Sequence, residues 1–346
     1  MVNKDVLREN LIFILSHSSK ITYSLYLAYE LDLFDHVSKN EPISLEKLSI
    51  LIKINTRSIQ ALVSMCSSIG LLENISNRYR LTVLSRCFLE KNSKYYIGDL
   101  LSLNLSNKDV TLSYESFRQA ILTGSPQVYN GKDLFQTNTK EAKKNEDFTR
   151  AMHARSTAAA EFWPLVIDFS EHNIFLDIGG GSGVHAIYAV RKWSNLKAIV
   201  YERHDVCEIA QVFIAKENLS TQVSTFVGDM WSDPFPKADI HFYCDIFHDW
   251  TLERVEFLLK KSFYFLPEKG KIVIHELLFD DNKEGPLSVS MSNLSMLIWT
   301  EGQQLSKNEL YNLLRKTGFK NISILNTGFG DWSITVAEKR KEDPRI

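Results

Sequence analysis

Two short stretches carry residue types at spacings that chemistry can use. The first is Leu176-Asp177-Ile178-Gly179-Gly180-Gly181-Ser182-Gly183, with four glycines in five positions after an apolar run. Glycine lets a backbone approach a ligand closely, and a helix that opens at such a loop offers free N–H groups. The second is Phe247-His248-Asp249-Trp250, which follows the apolar run Ile240 to Cys244. A histidine at the end of a strand lies where open α/β sheets bind ligands, and imidazole is the side chain best placed to accept a proton near neutral pH.

Two ligand classes fit the glycine loop. Read from Gly181, Gly-x-Gly-x-x-Ala runs to Ala186 and matches a dinucleotide fingerprint, with Glu202 about 20 residues on for a ribose. Three features favour S-adenosylmethionine. Asp177 before the first glycine suits a cationic amino acid and repels a pyrophosphate. Gly228-Asp229-Met230 follows the next-but-one strand and offers adenine a polar partner and an apolar plate. A terminal hairpin closes the chain, which a plain dinucleotide half does not need. A sulfonium methyl is already activated, so the acceptor has only to present a lone pair. For a phenol facing histidine the gap is roughly 3.5 pKa units, about 5 kcal/mol against prior deprotonation. A base that takes the proton as the methyl transfers removes that cost, with positioning supplying much of the remaining effect.

The elements that must hold these residues change character near residue 170. Before it the pattern is helical. Leu25, Leu27, Ala28, Leu31 and Phe34 mark one helical face, Ser44 caps a short helix, and Thr56 to Ile69 is a second helix stopped by Gly70. Strand-like pieces 71–73 and 79–82 flank the turn 76–78, so helix, helix and hairpin make a winged-helix pattern. From 174 onward, apolar runs at 174–178, 198–201, 223–227, 240–244 and 271–274 alternate with helical stretches at 184–193, 205–217 and 251–265. That rhythm predicts a parallel sheet covered on both faces. A helix from Leu305 to Thr317 and two strands around Gly328-Phe329-Gly330 then predict one antiparallel strand at the end of the sheet.

Composition sets the outer limits. A chain of 346 residues suggests about two domains. Forty basic against 42 acidic residues leave no excess for a phosphate backbone, so no nucleic-acid partner is expected. Cys66, Cys87, Cys207 and Cys244 lie far apart and fit free thiols in a reducing compartment. The apolar run Leu11 to Leu15 is too short for a membrane span or signal core, so a cytoplasmic protein without a membrane partner is expected.

On these motifs the chain resembles the class I methyltransferases, in particular the plant and bacterial small-molecule O-methyltransferases typified by the caffeic acid and acetylserotonin enzymes. The resemblance implies a Rossmann-like α/β catalytic domain at 171–340, its sheet mostly parallel with a terminal antiparallel strand. It also implies a winged-helix dimerisation domain at 1–95 that makes a homodimer, and a helical linker at 96–170 that contributes to the pocket. For S-adenosylmethionine it implies Asp177, Gly179 and Gly181 on the methionine side, Glu202 on the ribose, Asp229 and Met230 at adenine, and Trp250 stacked on the adenine ring. His248 matches the family's base in its His-Asp-Trp motif. Glu276 matches the carboxylate that holds the base's other ring nitrogen. Gln304 stands where the commoner pattern has a second glutamate, with Glu301 nearby.

The acceptor pocket is expected around Phe148, Met152, His153, Phe162, Trp163, Met291, Asn293, Met296 and Trp299, suiting a small aromatic hydroxyl compound. No His-x-x-x-His spacing or His/Cys cluster is visible, so no metal is expected. Two alternatives remain at this point: carbon, nitrogen or sulfur methylation on the same scaffold, and a ligand-sensing winged-helix regulator. Against the regulator, helix 56–69 offers little beyond Arg57 and Gln60 to read bases.

Overall fold

The computed structural model describes residues 11–128 and 142–340. Part of the expected linker, 129–141, therefore lies outside the described residues. The chain divides into two units, Met1–Leu105 and Ser106–Ile346.

The first unit begins with α1 (Leu11–His17), α2 (Ser19–Glu30) and α3 (Leu33–Asn40). The single helical face expected through Phe34 is broken. Leu31 ends α2, and Asp32 takes a left-handed conformation at φ 49°. The break turns Leu33, Phe34 and Val37 into the core but leaves Leu27 exposed. Next come β1 (Ile43–Ser44), α4 (Leu45–Ile52), α5 (Thr56–Ser68), β2 (Leu72–Ile75) and β3 (Arg78–Leu81). Ser44 Oγ accepts the Lys47 amide at 3.3 Å, and Asn55 Oδ1 accepts that of Ser58 at 3.0 Å, so both helices start on side-chain caps. Ser76 and Asn77 both have positive φ, the pair that a tight two-residue hairpin requires. The antiparallel sheet runs β1-β3-β2. The apolar face of α5 (Ile59, Val63, Cys66) is buried in the same cluster as Leu48, Leu72 and Leu81. After α6 (Val83–Phe88), α7 (Gly98–Ser106) leads into the second unit.

In the second unit α8 (Lys108–Thr111), α9 (Tyr114–Thr123) and α10 (Ala142–Phe162) precede the sheet. Then follow β4 (Ile174–Ile178), α11 (Val184–Lys192), β5 (Lys197–Glu202), α12 (His204–Lys216), β6 (Val223–Val227) and β7 (Ile240–Cys244). The chain continues through α13 (Leu252–Phe265), β8 (Lys271–Leu277), α14 (Leu287–Trp299), α15 (Lys307–Thr317), β9 (Phe319–Asn326) and β10 (Trp332–Lys339). The sheet order is β6-β5-β4-β7-β8-β10-β9. Pairings from β6 to β8 are parallel, while β10 runs antiparallel to both β8 and β9. The order reverses between β4 and β7, and a crevice forms at such a point beyond the carboxyl ends of the strands. The glycine loop follows β4 and the His248 segment follows β7, so the topology brings both chemical stretches to one crevice.

Alternation along the central strands sorts their side chains. Phe175 and Phe242 face a cluster built on Trp163, whereas Leu176 and Tyr243 face the cluster of Leu258 and Leu259. Trp163, expected at the pocket, is instead fully buried in the core. Its ring lies 5.0 Å from Phe242 and 6.0 Å from Phe175, and its indole N–H donates to His185 Nδ1 at 3.1 Å. Replacing Trp163 by Ala should therefore cost about 3–5 kcal/mol in chemical denaturation, because neighbours on three sides are covered elsewhere and cannot collapse into the hole.

Candidate active site

The glycine loop is built around a buried carboxyl. Asp177 at the end of β4 is 1% exposed, and its Oδ2 accepts the Ala186 amide at 3.3 Å. Burial, with Glu202 nearby, pushes its pKa up to about 7. A side chain at Gly180 would meet this carboxyl, so only glycine lets the loop fold down on it. Glu202 at the end of β5 accepts the Gly181 amide at 3.3 Å through one oxygen and the Arg203 amide at 2.9 Å through the other. Gly179 and Gly181 both have positive φ. The loop is thus held open by two acids, one under it and one beside it. A cradle with buried acid beneath bare backbone suits a cationic amino acid joined to a nucleoside.

The Asp229 segment is fixed by its own turn. Asp229 Oδ1 accepts the Trp231 amide at 2.8 Å and Oδ2 the Ser232 hydroxyl at 3.2 Å, while the Tyr201 hydroxyl donates to the Asp229 carbonyl at 3.0 Å. Met230 beside it is half-buried. Trp250 is 5% exposed; Trp231 meets it edge-on at 4.8 Å, and the Arg254 guanidinium lies 4.8 Å from its ring centroid. Trp250 is thus held between Trp231 and Arg254 beside the Asp229–Met230 turn.

His248 sits in a single 3-10 turn, Phe247–Asp249, after β7, and is 4% exposed. Burial lowers its pKa to about 4, although Asp245 pulls the other way, so the ring is neutral at pH 7. Asp245 Oδ1 lies 3.5 Å from Nδ1 and Asp249 Oδ1 3.5 Å from Nε2. Glu276 does something other than the expected pairing. It lies within β8, and its Oε1 accepts the amides of Ile246 at 3.1 Å and Phe247 at 2.6 Å. Burial raises this carboxyl to about 8. It holds the backbone that carries His248 and not the imidazole. Gln304 also differs from expectation. Its Nε2 donates to Ser292 Oγ at 3.0 Å and its amide to Asn293 Oδ1 at 2.8 Å, tying the 302–304 loop to α14. Glu301 is paired with Arg254 at 3.3 Å.

Of the expected acceptor residues, Met152, Phe162 and Met296 are half-buried. Phe162 packs 5.3 Å from Phe329 in the β9–β10 turn, and Asn293 is engaged by Gln304. His153 braces the glycine loop: its Nδ1 is 2.8 Å from Ser182 Oγ, its ring stacks on Phe213 at 4.1 Å, and burial lowers its pKa to about 4. The sequence reading missed Arg155, whose Nε donates to Asp245 Oδ2 at 2.9 Å. A cation inside an alanine-rich helical stretch (Ala151, Ala154, Ala158) was the available signal.

Folding also makes a His/Cys cluster that spacing concealed. His185, Cys244 and His275 place ligand atoms within 4.8 Å of one another. The Trp163 indole is a donor only, so His185 Nδ1 must accept and Nε2 must carry the proton. A protonated Nε2 has no lone pair for a metal, so the cluster as arranged is a core of neutral rings.

Residues 114–320 match the O-methyltransferase domain and residues 13–91 the O-methyltransferase dimerisation domain. Similar proteins include a human "probable bifunctional dTTP/UTP pyrophosphatase/methyltransferase protein", 25% identical over 89% of this chain; the chain spans only 50% of that relative. The 3-hydroxy-5-methyl-1-naphthoate 3-O-methyltransferase of Streptomyces sahachiroi is 26% identical, over 87% of this chain and 86% of the relative. In fold the chain is similar to human N-acetylserotonin methyltransferase crystallised with SAM, with TM-score 0.86, 22% identity and 96% and 98% of the two chains covered.

Gly302 shows how tightly the His248 turn is set. A Cβ there would land on the His248 carbonyl and the Trp250 amide, both backbone atoms that cannot turn aside. Gly302→Ala should push the 246–250 segment off Glu276, seen as faster amide exchange at Ile246 and Phe247 and a lower thermal midpoint.

Proposed function

The chain belongs to the O-methyltransferase family, and from that premise we propose that it methylates a hydroxyl of a small aromatic metabolite, with His248 as general base. The observation that carries this reading is the meeting of the glycine loop and the His248 turn at one switch point between β4 and β7. S-adenosylmethionine supplies a sulfonium-activated methyl group when bound. Asp177 and the glycine loop would hold its amino-acid end, Glu202 its ribose, and the Asp229–Met230 turn its adenine. His248, neutral at pH 7, would take the acceptor's hydroxyl proton as the oxygen gains the methyl group and the sulfonium gives it up to leave S-adenosylhomocysteine. The acceptor class rests on the Streptomyces sahachiroi relative, named for a hydroxynaphthoate, and on the human structural neighbour, named for N-acetylserotonin.

As assembly and compartment we propose a homodimer in the cytoplasm. The match of residues 13–91 to a dimerisation domain supports the first, and four free cysteines support the second. No helix among the described residues is long and apolar enough to cross a membrane.

Calorimetry with S-adenosylhomocysteine should show binding, and NAD binding in its place would overturn the reading. Because Asp177 titrates near 7, it is ionised above that pH and neutral below it. Affinity for the cationic cofactor should therefore weaken as pH falls from 8 to 6, and Asp177→Asn should bind weakly without that dependence. Incubation with labelled S-adenosylmethionine and a panel of hydroxynaphthoates, hydroxyindoles and catechols, followed by mass spectrometry, should identify a methyl ether. On the acceptor so found, His248→Ala should lose at least about 10²-fold in rate while binding S-adenosylhomocysteine normally.

A further inference from the structure

On the reading of His248 as the base, we propose that Asp245 is the positioning residue for its imidazole and that Arg155 aims Asp245. Two carboxylates lie 3.5 Å from the ring, Asp249 Oδ1 at Nε2 and Asp245 Oδ1 at Nδ1, and the second pair is the one left to itself. His248 Nδ1 and Asp245 Oδ1 are both buried without another hydrogen bond, and they face each other at 3.5 Å. Catalytic hydrogen bonds are often this long before the site is filled. The other Asp245 oxygen accepts from Arg155 Nε at 2.9 Å, and the Arg155 guanidinium lies over the Trp332 ring at 5.7 Å. Asp245 also stands at φ 52°, a left-handed backbone that aspartate tolerates better than most residues, on the bend between β7 and the His248 turn.

The carboxylate expected to do this work, Glu276, gives Oε1 to the backbone amides of Ile246 and Phe247, and its buried Oε2 makes no hydrogen bond to the ring. Gln304 is tied to Ser292. Charged groups beside the ring are Asp245 and Asp249 from its own segment and Arg155 from α10, while Glu276 from β8 meets the backbone of that segment. With Asp245 accepting the Nδ1 proton, Nε2 keeps the lone pair that the acceptor hydroxyl needs. The imidazolium formed on proton transfer then lies between two carboxylates. The result is a relay of cation, carboxylate and imidazole, drawn from α10 and from the strand end that carries the base.

The test is the tautomer of His248, read by nitrogen NMR on full-length protein labelled at histidine. Wild type should carry its ring proton on Nδ1. In Asp245→Asn, Arg155 keeps the amide oxygen, so the amide NH₂ faces Nδ1 and the proton should move to Nε2. Methyl transfer should fall by about 10²-fold or more, with S-adenosylhomocysteine affinity within about twofold of wild type. A wild-type proton on Nε2, or an Asn variant whose tautomer is unchanged, overturns the inference. The wild-type spectrum decides even if the variant does not fold. Full turnover by His248→Ala on the acceptor found above would remove the base itself. An unchanged tautomer beside an inactive His248→Ala would remove only the part given to Asp245.

Discussion

The second unit turns on a carboxyl that touches no ring. Glu276, buried in β8, takes two consecutive backbone amides from the neighbouring segment as β7 gives way to the His248 turn. Those amides would otherwise be orphaned in a dry interior, where an unpaired donor costs about 1–3 kcal/mol. Satisfying them forces the chain to turn there, and that turn sets the position of His248, the bend at Asp245 and the seat of Gly302 against the 248–250 backbone. Burial drives the carboxyl toward its neutral form, which suits a group whose task is structural.

Much of this architecture was legible in the sequence because it is written in local patterns. The strands 174–178, 223–227 and 240–244 coincide with their apolar runs, and the helices between them fall within a residue or two of expectation. Burial on both faces leaves strong signals of this kind in 174–178 and 240–244, while 223–227 is an exposed edge strand with the same apolar run. The helix break at Leu31–Asp32 was not legible, because the apolar spacing runs straight through it and only a left-handed residue marks the stop.

The site was legible as a set of residues but less so as a set of partners. Asp177, Glu202 and His248 stand at strand ends, where type and position together point to chemistry. Pairings are set by which oxygen meets which nitrogen across the sheet, and no spacing rule contains that. Glu276 thus gives Oε1 to two backbone amides and Trp250 packs against Arg254, contacts that no spacing announces. Trp163 was assigned to the pocket when its indole fixes the protonation of His185. Arg155 went unnoticed because its partner lies 90 residues away.

One helix reaches three strand ends. Along α10, Asn145 meets Asp205 and Arg203 beyond β5, His153 meets Ser182 in the loop after β4, and Arg155 meets Asp245 after β7. A rigid rod fastened at three points does not release them one at a time. A tilt of α10 that loosened the glycine loop would loosen the bend before His248 in the same motion, so the two stretches shift as one mechanical variable.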